Sequence, residues 1–226
     1  MLRLSVGPYK TNSYVLLCGQ TRSLAVDPGG DAATLLSAVA GTELAAILLT
    51  HGHSDHTRAL VELHRATGAP IGVHPRDAHM LPIAPQWLFE DGEDLRLARC
   101  HLRIHHLPGH SPGSVAFEVL PDLWLVGDTL FPGGPGHTDS PDQFAQLIQT
   151  LWQRVFVLPP ETRLFPGHGA PTTVGREAEP FHAFLQRGWA EDAYGDVRWD
   201  TRPGDLSNGK PSDSQTRVCA DGVGHG

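Results

Sequence analysis

The chain has 226 residues, 40% hydrophobic and 19% charged, a globular composition that excludes a chain-long disordered segment or a coiled coil. Seventeen basic residues against twenty-five acidic ones leave a formal charge of −8, which opposes a nucleic-acid backbone as partner. Apolar runs such as Ala45-Ala46-Ile47-Leu48-Leu49 are only strand-sized, so no membrane span is expected. Met1 to Pro8 holds no apolar leader core, so a cytoplasmic location is expected.

In chain order, residues 12–18 and 23–26 read as strands, the second closed by Asp27-Pro28-Gly29-Gly30. Asp31 is placed to cap a helix over 32–40, with Gly41 as its stop. Residues 44–49 form a buried-strand run that ends in Thr50-His51-Gly52-His53-Ser54-Asp55-His56. Helical spacing resumes at Ala59, Leu60 and Leu63 and stops near Gly68. Residues 71–74 read as a short strand, and 75–88 are broken by prolines. Strands follow at 101–107, 114–120 and 123–126, a helix at 142–155, a strand at 163–165 and a last helix at 177–187. Both halves thus run strands first and helices after, which suggests two stacked α/β layers. Residues 1–199 are read as one domain. From Asp200 onward the chain is Pro, Gly, Ser, Asp and Asn, which predicts a disordered tail over 200–226.

Cys18, Cys100 and Cys219 are scattered and form no CxxC pair. That predicts neither a disulfide framework nor a cysteine zinc knuckle. The histidines stand out instead, fourteen of them. His51, His53, Asp55, His56, His110, Asp128 and His168 all lie just after apolar strands, and each group is flanked by glycine: Gly52, Gly109, Gly127, and Gly167 with Gly169. Strand-end loops are where open α/β folds place their sites. Residues i and i+2 of an extended segment share a face, so His51 and His53 can meet one metal. Asp55 and His56 follow where the chain turns and can point at a second. His110 can complete the first site, His168 the second, and Asp128 can bridge them. A nitrogen- and oxygen-rich donor set with open positions is the catalytic pattern. The other histidines are not expected to ligate metal: His64 on the solvated face of a helix, His74 and His79 in the proline-broken segment, His101, His105 and His106 around a strand, and His182 and His225 on the surface or in the tail. His137 follows the loop Gly133-Gly134-Pro135-Gly136 and is a candidate substrate contact.

Thr50 to His56, Pro108-Gly109-His110, Gly127-Asp128 and Gly167-His168-Gly169 together resemble the metallo-β-lactamase superfamily. The resemblance implies a four-layer αββα sandwich with the metal site at one edge. It implies two divalent ions, zinc foremost, with iron or manganese as alternatives. It puts His51, His53 and His110 on one ion and Asp55, His56 and His168 on the other. Asp128 bridges, and Asp27 buttresses the metal loop.

Pro108-Gly109-His110-Ser111-Pro112-Gly113-Ser114 and Gly127-Asp128-Thr129-Leu130-Phe131 look most like the short glyoxalase II branch. That implies hydrolysis of a small-molecule thioester, with Asp55 and Asp128 orienting the attacking water. His137 stands where the short enzymes carry Arg, so the thiol specificity does not follow. An alternative implied by the same branch is a single-iron persulfide dioxygenase-like oxidoreductase using His51, His110 and Asp128.

Overall fold

A computed structural model describes residues 1–97 and 99–202. The first sheet orders β1 (Leu2–Val6), β2 (Thr11–Leu17), β3 (Arg22–Val26), β4 (Glu43–Leu48), β5 (Ile71–Val73) and β6 (Trp87–Leu88) side by side. Its first three strands are antiparallel and the next pairings are parallel. The second sheet contains β7 (Asp94–Leu97), β8 (Cys100–His106), β9 (Val115–Leu120) and β10 (Leu123–Gly127). A small hairpin, β11 (Leu130–Phe131) with β12 (Gly134–Pro135), stands apart, and β13 (Arg163–Pro166) and β14 (Thr172–Thr173) complete the second sheet in the order β14-β13-β10-β9-β8-β7.

The period-two alternation of the central strands builds the layers. In the first sheet Tyr14, Leu16, Leu24, Val26, Ala46 and Leu48 face the second sheet, meeting Phe117, Leu125 and Ile104. Val15, Ala25 and Ile47 face the opposite way, onto α1 (Ala32–Val39) and α3 (Leu60–Thr67). In the second sheet Ala116, Trp124 and Val126 face outward onto α4 (Pro141–Thr150) and α5 (Val174–Arg187). Helices, sheet, sheet and helices therefore stack in four layers, as expected. A further single turn, α2 (Ser54–Thr57), opens between β4 and α3. Among the described residues no helix is long and apolar enough to cross a membrane.

Several expectations are corrected. Cys18 and Cys100 are not free thiols: they form a disulfide with Cα atoms 4.9 Å apart across 82 residues of sequence. It ties the end of β2 to the start of β8 and so staples one sheet to the other. Spacing along the chain carries no sign of that approach, because the two strands meet only through sheet stacking. Closing so long a loop restricts the unfolded chain by about 4 kcal/mol in the entropic account. Asp31 stands at the N-cap of α1 but makes no capping bond; its carboxylate accepts from Gly7 N at 2.9 Å instead. The helix expected over 142–155 is regular only to Thr150 and widens into a π-type turn over Leu151–Val155.

Strands β1 and β7, absent from the sequence reading, are edge strands with only Val6 and Leu95 buried, which leaves a weak apolar signal. The chain after α5 is also more than a link. Ala193, Val197 and Trp199 are buried against α4 and α5, and Arg187 donates to the Trp199 and Thr201 carbonyls. Of the tail expected over 200–226, residues 203–226, with Cys219 and His225, lie outside the described residues.

Candidate metal centre

The seven residues singled out in the sequence come from four separate segments and meet at one edge of the stacked sheets. Their donor atoms fall into two groups, each within 4.8 Å of one another: His51, His53 and His110, then Asp55, His56, Asp128 and His168. In the first group His110 Nε2 lies 2.9 Å from His53 Nδ1 and 3.2 Å from His51 Nε2. In the second, His168 Nε2 lies 3.0 Å from Asp55 Oδ2, and His56 Nε2 lies 3.6 Å from that oxygen. Asp128 stands between the groups: Oδ1 is 3.4 Å from His56 Nε2, and Oδ2 is 3.5 Å from His168 Nε2 and 3.9 Å from His110 Nε2.

Local structure explains the aim of each ring. Asp27, buried and at φ 52, accepts from Thr50 N at 2.8 Å and Thr50 Oγ1 at 2.7 Å, which fixes the residue before His51. Its Oδ2 also lies 3.1 Å from His56 Nδ1. His110 Nδ1 lies 2.8 Å from the His137 carbonyl, and His168 Nδ1 lies 3.1 Å from the Tyr9 carbonyl. A carbonyl can only accept, so Nδ1 of both rings donates outward and Nε2 faces the centre, which is how metal-binding imidazoles are oriented. Gly167 leaves the room: a Cβ there would collide with Asp128 Oδ1 and the His56 ring.

The electrostatics differ between the two groups. Burial, then the neighbouring imidazoles, push His51 well below the usual histidine value. Burial also lowers His110, against the opposing charge of Asp128. In the second group burial is overridden. Asp128 and Asp27 hold His56 well above its usual value, and Asp55 and Asp128 raise His168. Burial alone would raise Asp128, yet His56, His110 and His168 outweigh it and bring its carboxyl down to about 2.

These residues fit a metal. His56 Nε2 and Asp128 Oδ1 are buried and face each other without a hydrogen bond. Unpaired polar atoms of that kind are costly in a protein interior, and a cation between them satisfies both. Histidine nitrogens and carboxylate oxygens are the donors that zinc, iron and manganese accept.

His137 does not join the donor groups. Its ring is 51% exposed at the rim, 2.8 Å from Asp196 and 3.5 Å from Asp139. His105 stacks on Trp124, and His106 stacks on His74.

The sequence reading missed two supporting residues. Asp77, fully buried, accepts from Gly52 N at 3.0 Å, Ser111 Oγ at 2.6 Å and Gly113 N at 2.6 Å. It joins the His51–His53 loop to the His110 loop. It sits on a single 3-10 turn, Pro75–Met80, inside the proline-broken stretch, where no motif marks it. Asn12 donates to the Pro166 and Gly169 carbonyls and so holds the His168 loop. A buried amide within an apolar strand was the available signal.

Comparison with known proteins agrees with this geometry. The sequence matches the metallo-beta-lactamase superfamily over residues 6–168. The chain belongs to that superfamily. It is 30% identical over 202 residues to hydroxyacylglutathione hydrolase GloC of Haemophilus influenzae, covering 79% of this chain and 95% of that protein. Among solved structures it resembles TTHA1623 in a di-iron-bound form, with a TM-score of 0.69 and 35% identity over 79% of this chain and 97% of that one. It also resembles BLEG-1, a B3 metallo-beta-lactamase, with a TM-score of 0.74 and 28% identity over 79% and 96%.

Proposed function

We propose that this superfamily member is a metal-dependent hydrolase of small-molecule thioesters. The observation that carries the reading is Asp128, whose two oxygens stand between a three-histidine group and a mixed histidine–carboxylate group. In this reading His51, His53 and His110 hold one divalent ion, and Asp55, His56 and His168 hold the other, with Asp128 shared. Divalent ions in such a site polarise a carbonyl and bring the pKa of water down to about 7.

The chain's own residues do the rest. Asp55 and Asp128 place carboxylate oxygens where an attacking water would be oriented and its proton drawn. The His51, His53 and His110 group, pressed toward neutrality by burial, offers nitrogen donors without adding charge. A thiolate leaving group, with a parent pKa near about 8.5, departs without a strong general acid, and the centre contains none. His137 stands at the rim as the candidate substrate contact. Similarity to GloC supports a hydroxyacylglutathione-type thioester as the first substrate to try.

A single-iron oxidoreductase is the second reading. His51 and His110 nitrogens 3.2 Å apart, with Asp128 Oδ2 3.9 Å from His110, supply the two-histidine, one-carboxylate set such an iron uses. The iron bound in TTHA1623 favours testing it.

One experiment separates the readings. The protein is purified without added metal, its metal content measured, and it is assayed for thioester hydrolysis, β-lactam hydrolysis and oxygen uptake. Roughly two ions per chain with thioester hydrolysis is the expected result. His53→Ala and His168→Ala should each lower metal content and cut turnover at least about a hundredfold, while His101→Ala, at an exposed position of β8, should change neither. Iron near one per chain with oxygen uptake and no hydrolysis would establish the second reading. Cleavage of β-lactams alone would overturn both.

A further inference from the structure

The rim of the metal centre is electrically lopsided. On the flank beside His110 the side chains are His137 with Asp139 and Asp196, whose carboxylates are 73% and 79% exposed. On the flank beside His168 they are Arg3, Tyr9, Lys10 and Arg58, all exposed. Arg3 donates to the carbonyl of Gly169, the residue after His168. Tyr9 offers its carbonyl to the His168 ring, and the Arg58 guanidinium stands 6.0 Å over the Tyr9 ring. Arg22, Arg154, Arg163 and Arg198 are paired with acidic side chains. Arg3, Lys10 and Arg58 have no such partner among the described residues. Three unpaired cations on one flank of a chain carrying −8 overall are a local reversal of field.

A cavity adjoins this flank. It measures about 460 Å³ and is lined by Ser54, Thr57, Arg58, Val61, Met80 and Pro82. Ser54 and Thr57 belong to the same turn as Asp55 and His56, and Met80 packs against Gly52, between His51 and His53. Ser54, Thr57 and Arg58 line it from α2 and its end, and Val61 from the start of α3, while Asp55 and His56 of the same turn are not part of its lining. The cavity lies beside the centre through this shared turn and the Met80–Gly52 contact, and none of the candidate metal donors lines it. Val61, Met80 and Pro82 make its wall apolar, and Arg58 is its one charge.

We propose that Arg58, backed by Lys10 and Arg3, is an anion subsite that holds a carboxylate on the non-reacting end of the substrate. The inference rests on the hydrolase reading and adds a specificity residue to it. A guanidinium holds a carboxylate through two parallel charge-assisted bonds, which an ammonium does not reproduce. The acidic flank at Asp139 and Asp196 repels the same carboxylate, so the two flanks set one direction of binding. His137, in the company of two carboxylates, is not the anion clamp; Arg58 is.

The test uses the full-length, metal-loaded protein and two thioesters that differ only in carrying a terminal carboxylate or the corresponding amide. The wild type should show a KM lower by about tenfold or more for the carboxylate, with kcat within about twofold. Added salt should shrink that preference. Arg58→Ala should abolish it and leave kcat unchanged, Arg58→Lys should keep part of it, and Arg65→Ala, the same charge change on α3, should keep all of it. Binding of the matching non-hydrolysable thioether, measured by calorimetry, reads the subsite without turnover. Hydrolysis of both thioesters with equal KM, unaltered in Arg58→Ala, would overturn the subsite and leave the hydrolase reading standing. Carboxylate-dependent thioether binding that is lost in Arg58→Ala, without hydrolysis of either thioester, would retain the subsite and overturn the hydrolase reading. Failure of both measurements would overturn both.

Discussion

Two buried aspartates brace the candidate metal centre from opposite sides, and they do so differently. Asp27, on the turn after β3, bonds to the backbone and hydroxyl of Thr50 and reaches His56 Nδ1 at 3.1 Å. Asp77, on the turn after β5, touches no candidate ligand ring. It bonds to Gly52 N, Ser111 Oγ and Gly113 N, and so joins two loops that each carry histidines of the first group. One aspartate acts on the charge of a donor; the other fixes the spacing between donors. Orientation of a metal site is commonly shared between such outer partners, and each contributes to affinity in its own way.

The largest effects should come from removing either carboxylate. Asp27→Ala and Asp77→Ala each strand two or three donors in the interior. A cost of about 3 kcal/mol or more is expected for each, since an unsatisfied buried donor costs about 1–3 kcal/mol. Chemical denaturation of the metal-free protein measures it. A near-neutral Asp77→Ala would break the comparison, because the loop junction would then be held by something else.

Milder substitutions sharpen the difference. Asp27→Asn keeps the shape but removes the charge that helps hold His56 above its usual value. It should weaken the ion at the second group by about ten- to hundredfold. Asp77→Asn turns an amide N–H toward groups that themselves donate, loosening the junction between the His51–His53 and His110 loops. It should weaken the ion at the first group instead. A competition titration against a chelator, followed in two steps, would show one step shifting in each variant. If both variants moved the same step, the two braces would not be separate.

The sequence made one brace visible and hid the other. Asp27-Pro28-Gly29-Gly30 is a turn signature closing an apolar run, so its aspartate draws notice by position. Asp77 lies in His74-Pro75-Arg76-Asp77, which resembles any exposed turn. Its burial is created by Gly113 and Ser111, residues more than thirty positions away that arrive only when the sheets stack. The seven candidate donors stood out for the opposite reason. They lie in the loops and the single turn that closely follow β4, β8, β10 and β13, and apolar runs announce those strands. The Cys18–Cys100 disulfide and the packing of Trp199 were illegible for the same reason as Asp77: the contact is made between layers, not along the chain.

The smallest expected effect is a pH dependence confined to the Asp77 side. His74 opens the turn that carries Asp77. Its carbonyl accepts from Asp77 N at 3.0 Å, and its ring Nδ1 accepts from Arg76 N at 3.3 Å. The ring lies flat against His106, with centroids 4.1 Å apart. Burial, then the His106 and Arg76 charges, lower its pKa from 6.5 to about 4, with Asp77 and Asp91 opposing. A histidine whose folded pKa is depressed favours the fold while neutral. That contribution is complete above about pH 6.5 and is lost as the pH falls from 6.5 toward 4. Protonation also removes the acceptor that Arg76 N uses. Asp27 faces His56 instead, whose pKa is held well above its usual value, so that ring takes its proton before His74 does and acid should loosen the Asp77 junction first. Amide exchange at Gly52 and Gly113, both bonded to Asp77, should then quicken at a higher pH than exchange at Thr50, which is bonded to Asp27. His74→Gln should bring the three amides together, because it removes the titrating ring. Simultaneous loss of protection at all three in the wild type would show that acid acts on the centre as a whole and not through this turn.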